Sequence, residues 1–440
     1  MGWMRYLLFL VALHCATAPL AAQEPYAQPQ LRVFHVIVGP GEIFFERFGH
    51  NAIWIRNHAA GTDMAYNYGV FDFEQENFIW RFIQGRMLYR IERFPSDWMI
   101  TGYVEYDRRS VHIQELNLTA DQARELQAFL EWNALPENQS YRYDYFRDNC
   151  STRVRDALDR VLGGAIRARS ESIDTGRSYR WHTRRLAAEE LWLYFSLHYL
   201  LGQPTDRPIS AWEEMFLPLR LQEWLRDIQV TTEAGETVPL VKREWTVFEN
   251  PMLAEREAPP RWIAWFIAAG VVIGGLLALF AYLSPRPWWA RIGLALLGVI
   301  WGTLSGVYAS IIAWAWLFTD HEDARPNENI LQLSPLGLLL VVLVPLVSFG
   351  YRRGAGFARY VALAAGGLAL LGFILQVLPF MDQLNGEIIA LALPINLALA
   401  WSMWRLTKPR TEPPGEPASA GGKKHSSKRR ISQAPGPAPT

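Results

Sequence analysis

The stretch Tyr141-Arg-Tyr-Asp-Tyr-Phe-Arg-Asp-Asn-Cys-Ser-Thr-Arg-Val-Arg-Asp156 closes a polar, aromatic loop and opens a helix. A helix should begin near Asn149 or Cys150 and run to Leu162, where Gly163-Gly164 end it. Cys150 therefore stands in the first turn. There the free amides and the positive end of the helix dipole favour a thiolate and lower the thiol pKa from about 8.5. The amides of Cys150 and Ser151 are also the candidates to cradle an oxyanion if a carbonyl is attacked. The plainer reading is a buried structural cysteine.

Cys150 stands out further once the N-terminus is read. Arg5, the apolar run Tyr6–Ala12 and the small residues of Ala16–Ala22 have the layout of an export signal over residues 1–22. His14 is a poor residue before a lipidated cysteine, so Cys15 is read as part of that signal. Its removal leaves Cys150 as the one cysteine, and no intramolecular disulfide can form.

Charge is unevenly spread. The 440 residues carry no formal net charge and are half hydrophobic, which gives no hint of a nucleic-acid partner. Five apolar segments follow Arg261: Trp262–Leu283, Ile292–Phe318, Leu331–Gly350, Val361–Met381 and Ile388–Trp404. Each is near the roughly 20 residues of a spanning helix. The loops holding Arg286 and Arg291, and Arg352, Arg353 and Arg359, are basic, as is the tail with Lys408, Arg410, Lys423 and Lys424. The positive-inside rule puts them in the cytoplasm. This yields four divisions: signal 1–22, exported domain 23–260, five-helix transmembrane domain 261–405, and a disordered basic cytoplasmic tail 406–440. The exported N-terminal domain then lies across the membrane from the tail.

Within the exported part, Leu31–Val38, Ala52–Arg56 and Met64–Val70 read as strands and Thr119–Trp132 as an amphipathic helix capped by Thr119. Residues 165–260 read as mainly helical, with a short strand pair over Thr237–Val247. The apolar faces Leu191–Leu201 and Met215–Leu225 suit either domain core or a lipid-seated surface, core being the more ordinary.

A thiol nucleophile needs a base, usually histidine. His50 enters a strand after Gly49, a residue that permits close backbone approach. His35 reads as a core residue, His58 and His112 as surface residues, and His182 and His198 fall in the helical half. Asn67, or alternatively Tyr66, is placed on the next strand to orient the imidazole. There is no His-Glu-x-x-His, no clustered Cys/His set, no phosphate loop and no Gly-x-Ser-x-Gly. His321-Glu-Asp323 reads as a solvated loop at the membrane edge rather than a cation site. No metal or cofactor is called for.

Val38-Gly-Pro-Gly41, Phe48-Gly-His-Asn51, Asn67-Tyr-Gly-Val-Phe-Asp-Phe73, Pro136-Glu-Asn138 and Asp148-Asn-Cys-Ser-Thr-Arg153 together resemble the periplasmic domain of Lnb-type lipoprotein N-acyltransferases. Thr319-Asp-His321 and Asn327-Glu-Asn329 look like the loop of that family's membrane part. The resemblance implies an α+β fold, a permuted papain-like (NlpC-type) domain with histidine before cysteine, followed by an all-α five-helix bundle. It implies a Cys150 thioester acylated by a phospholipid, with the N-terminal amine of a diacylated lipoprotein as acceptor. Two other functions fit the residues alone: a cysteine peptidase or amidase acting on cell-wall peptides, and a non-enzymatic membrane scaffold. Few ionisable residues lie in the apolar segments, so a transport path lacks its usual markers.

Overall fold

Val33, His35 and Ile37 alternate with Phe34, Val36 and Val38 along Leu31–Val38 (β1), and both sets are buried. A strand covered on both faces has no solvent side, so it reads as a near-continuous apolar run. The structure is a computed structural model that describes residues 30–71, 74–284 and 286–408. The expected export signal, and the tail beyond Lys408, lie outside those residues.

β1 is followed by His50–Asn57 (β2), Thr62–Val70 (β3), Leu88–Pro95 (β4), Val111–Leu116 (β5) and Ser140–Arg142 (β6). Gln229–Thr231 (β7) and Thr237–Pro239 (β8) form a separate ribbon, and Val241–Phe248 (β9) closes the sheet. The sheet order is β6-β4-β3-β2-β1-β5-β9, with antiparallel neighbours throughout. The strand pair expected over Thr237–Val247 is therefore corrected. Leu240 is fully buried and divides the segment, so that β8 pairs with β7 while β9 pairs with β5.

Helices cover the two faces. Phe78–Gln84 (α1) lies at one end, and Ser96–Thr101 (α2) runs into a π-helical turn, Gly102–Tyr106. Ala120–Asn133 (α3) starts in a capping box of Thr119 and Gln122, and Cys150–Val161 (α4) in one of Asn149 and Thr152. From α3 and α4, Leu126, Leu130 and Leu158 pack with Ile53, Ile55 and Tyr66 of the sheet. All three leucines are fully buried, each worth about 1.5–3 kcal/mol. On the other face, Met99 of α2 joins Phe34, Trp54 and Ala65, with Tyr103 alongside.

Ala165–Ser170 (α5), Tyr179–Leu186 (α6), Leu191–Leu200 (α7), Ala211–Glu214 (α8) and Pro218–Leu225 (α9) complete this part. Met215, Leu221 and Leu225 belong to the sheet's core. α7 does not: Leu193 and Tyr194 pack with Phe266 and Trp262, and Tyr199 joins the core of the apolar helices. The face between Leu191 and Leu200 is thus the joint between the two halves of the protein.

Among the described residues, five helical units are long and apolar enough to cross a membrane: Ile263–Leu283 (α10), Trp288–Phe318 (α11), Asn329–Gln332 (α12) continued by Gly337–Ser348 (α13), Ala355–Leu375 (α14) and Gly386–Thr407 (α15). They fit a multi-pass membrane protein with an α+β domain ahead of the bundle. Gly298, Gly302 and Gly306 of α11 face Val344, Gly337 and Leu338 so closely that an added Cβ would collide, the close approach that small residues allow between membrane helices. Inside the bundle, Trp301 Nε1 donates to Asn396 Oδ1 at 2.8 Å, and Asn396 Nδ2 to the Gln332 carbonyl at 2.7 Å.

The loop from Thr319 to Glu328 is a clamp and not the solvated loop that its charges suggest. Asp320 receives Arg86 at 2.8 Å and Arg142 at 2.9 Å, and Arg147 binds Asp323. Gly202 N–H donates to the Asp323 carbonyl at 2.6 Å, and Asn327 Nδ2 to the carbonyls of Tyr199 and Leu200. Glu387, at the start of α15, accepts from Arg184 at 2.7 Å and from the Tyr194 hydroxyl at 2.6 Å.

Candidate active site

Three elements converge at one end of the sheet. β2 begins at His50, directly after Gly49, whose φ is +75° and whose added Cβ would lie 3.0 Å from the Val38 carbonyl. Only glycine suits such a turn. Asn67 sits on β3, and its Oδ1 is hydrogen-bonded to His50 Nε2. An amide oxygen only accepts, so Nε2 carries the proton and Nδ1 remains as the basic nitrogen. Asn67 also bonds the hydroxyl of Tyr103, whose ring centroid lies 6.0 Å from that of His50. Tyr66, the alternative partner, points to the opposite face, where its hydroxyl donates to Glu131.

Cys150 arrives from α4, which packs against β2 and β3. Gly69 makes room for it. The register between β3 and β4 shifts between Asn67 and Val70, and Gly69 has a φ of +90°. A Cβ there would sit 3.3 Å from Cys150 Cβ and 3.8 Å from His50 Cε1. Cys150 and His50 thus both border a residue that has no side chain.

The first turn of α4 is held from several sides. Asn149 Oδ1 accepts the amides of Ser151 and Thr152, each at 2.9 Å, while its Nδ2 reaches the Tyr145 and Phe216 carbonyls at 3.0 Å. Ser151 Oγ donates to the Met215 carbonyl at 2.7 Å and accepts from Asn51 Nδ2 at 3.2 Å. This modifies the expected oxyanion donors. The Ser151 amide is shared with the cap oxygen, whereas the Asn51 amide, not anticipated from sequence, reaches the thiol from the strand side. The Cys150 amide completes the set.

Electrostatics overturn the expectation of a depressed thiol pKa. Burial pushes the Cys150 thiol up to about 11, and outweighs the amides of Asn51, Ser151 and Cys150 and the Arg109 charge that favour the thiolate. Burial likewise holds His50 down at about 4, with the Asn67 hydrogen bond opposing and Arg109 adding to the depression. At neutral pH both partners are uncharged. Arg109 itself is 3% exposed, donates to the Gly39 carbonyl at 2.9 Å and lies over the Tyr103 ring.

Residues 20–190 match the model of the Lnb N-terminal periplasmic domain, and residues 264–409 match that of the Lnb transmembrane domain. The chain belongs to the Lnb family. No curated protein and no solved structure matches it.

His35, His112, His182 and His198 of this Lnb-family protein lie elsewhere. His35 is buried against Gln114 at 3.1 Å, His112 pairs with Thr246, and His182 bonds Glu214 at 3.0 Å. His198 is buried beside Arg180. Among the described residues, no group of three or more His, Cys, Asp or Glu side chains gathers as a metal site would. Asn51, Gly69, Tyr103 and Arg109 are the site residues that sequence reasoning did not single out. For Asn51 and Gly69 a signal existed, since each lies inside a quoted motif.

Proposed function

We propose that this protein is a membrane-bound lipoprotein N-acyltransferase working through a Cys150 thioester. The observation that carries this reading is the His50–Asn67 hydrogen bond, with Cys150 and His50 both bordering Gly69, in a domain clamped to five apolar helices. Membership of the Lnb family supports a lipoprotein-processing membrane protein. The order of histidine before cysteine suits a permuted papain-like domain.

The chemistry follows from two neutral partners. As Cys150 Sγ attacks the ester carbonyl of a phospholipid, His50 Nδ1 takes the thiol proton, so no free thiolate is needed beforehand. The amides of Cys150 and Asn51 are the donors for the developing oxyanion. Collapse breaks the ester C–O bond, and the lysophospholipid oxygen takes the proton from His50. In the second half, the α-amine of the diacylated lipoprotein's N-terminal cysteine attacks the thioester carbonyl and gives its proton to His50. The departing Cys150 sulfur takes that proton back, which completes the cycle without metal or cofactor.

Asn67 holds the imidazole in the tautomer this requires. Both substrates are lipid-anchored, so a site clamped to membrane helices confines the search for them. In this reading residues 1–22 are an export signal, the α+β domain is periplasmic, and the basic loops and tail of an inner-membrane bundle are cytoplasmic.

The test is mass spectrometry of lipoprotein N-termini in cells that have no other N-acyltransferase. Wild-type protein should yield triacylated termini, whereas Cys150→Ala and His50→Ala should leave diacylated ones. Unchanged triacylation in either variant would sink the proposal.

A further inference from the structure

α1 is a helix without a core. Ile79, Trp80, Phe82 and Ile83 are all 40–66% exposed, and none of the seven residues of Phe78–Gln84 is buried. An open depression of about 380 Å³ lies along it, lined by Asn77, Phe78, Ile79, Trp80 and Ile83. So large an apolar surface on so short an element calls for a partner.

Its surroundings identify that partner. The Asp320 amide donates to the Gln84 carbonyl at 2.9 Å, His321 Nε2 lies 3.2 Å from the Phe82 carbonyl, and Arg86 pairs with Asp320. These bonds fix α1 beside the end of α11. There Trp80 meets Trp314, with ring centroids 6.3 Å apart, next to the exposed Leu317 and Phe318. Tryptophans at a span's end mark the membrane–water boundary. The apolar side of α1 is therefore continuous with the lipid-facing side of a spanning helix.

From α1 an aromatic lane leads towards the thiol. Phe78 stacks on Phe71 at 6.3 Å, Phe71 meets Tyr89 at 5.2 Å, and Tyr89 stacks on Tyr143 at 4.1 Å. The exposed Phe45 joins the lane at Phe71, at 5.7 Å. Tyr89, Tyr143 and Cys150 all pack against one buried cluster that includes Tyr68 and Tyr141. The hydroxyls of Tyr89 and Tyr143 are both raised, by burial first and then by the charge Cys150 would carry.

We propose that α1 dips into the lipid leaflet on its side of the bundle, and that the lane Phe78–Phe71–Tyr89–Tyr143 guides a phospholipid acyl chain from that leaflet to Cys150. The proposal deepens the acyltransferase reading by naming where the donor enters, and rests on it for the reaction at the far end. Aromatic walls suit a flexible apolar chain because they contribute contact area at little side-chain entropy. The ester carbonyl stays near the polar end of the lane, where the amide donors are.

The test uses full-length Cys150→Ala protein in nanodiscs containing a phospholipid with a diazirine on its acyl chain. This variant forms no thioester, so labelling is independent of acyl transfer. After irradiation, peptide mapping should place adducts on Phe78–Ile83 and on Phe71, Tyr89 or Tyr143. Adding Ile79→Asp and Ile83→Asp should remove the adducts at Phe71, Tyr89 and Tyr143 while those on α10–α15 persist, which shows the bundle still folded in lipid. Adducts confined to the spanning helices would overturn the proposal. So would labelling of α1 with a clean lane, or lane labelling that survives the double substitution. A labelled lane in a protein that never acylates lipoproteins would instead count against the acyltransferase reading alone.

Discussion

Arg147 grips Asp323 with both terminal nitrogens, Nη1 and Nη2 each 2.8 Å from a carboxylate oxygen. One residue lies just before Cys150, the other in the loop between two spanning helices. Such a forked pair fixes direction as well as distance. Asp323 is 12% exposed and Arg147 39%, so loss of Asp323 leaves a half-exposed guanidinium with Asp144 at 3.6 Å as its remaining carboxylate. We expect Asp323→Ala to weaken docking by about 1.5–3 kcal/mol. Thermal unfolding in detergent should show a lower midpoint or a separate transition for the α+β domain. An unchanged melting profile would count against the clamp.

Asn67→Ala should free the His50 ring. Misplacing a catalytic base by about 1 Å can cost on the order of 100-fold, so thioester formation from a phospholipid should fall by roughly that factor. The fold should survive, because Asn67 contributes no apolar surface to the core. Single-turnover trapping of acyl-enzyme measures it, and a rate equal to wild type would exclude the orienting role.

Gly69→Ala acts on space and on backbone together. The new methyl meets Cys150 Cβ at 3.3 Å, and a φ of +90° strains any L-residue. A destabilisation of about 1–2 kcal/mol is expected from the backbone alone. Alkylation of Cys150 should also change in rate. Denaturant titration and iodoacetamide kinetics read the two effects separately, and neither effect appearing would refute the close approach.

The two titrations give opposite limbs. His50 stays neutral in the folded protein down to about 4, whereas an unfolded histidine protonates near 6.5. Between those values the unfolded state binds more protons, so His50 contributes a loss of stability as pH falls. Cys150 keeps its proton to about 11 against about 8.5 for a free thiol, so its contribution is lost as pH rises through that window. Iodoacetamide labelling of native protein should accordingly have a midpoint near 11. A midpoint below 8 would show a preformed thiolate instead.

Elements with strong local signals were legible. β1 announces itself by its apolar run, α4 by Asn149 and the double glycine, and the spanning helices by sheer length. The site's main pair was legible too, because β2 and β3 are neighbours in sequence and His50 and Asn67 lie a hairpin apart. What escaped depends on distant partners. β9 pairs with β5 across more than a hundred residues, and nothing within Val241–Phe248 names that partner. α1 was invisible because a seven-residue apolar segment resembles a buried strand as much as an exposed helix. The thiol pKa went the wrong way for the same reason. A helix start is local, whereas the burial that dominates comes from β2, β3 and the loop before α4.

α11 has 31 residues, which at 1.5 Å each makes it about 46 Å long, well beyond the roughly 30 Å of a hydrocarbon core. With its far end fastened through Asp320 and Asp323 to the segments around α1 and Cys150, it acts as a ruler. For the proposed reaction, the depth of the thiol is then set by the length of a rigid rod, not by the slack of a linker. A lipid-anchored substrate of that reaction would have to come to that height.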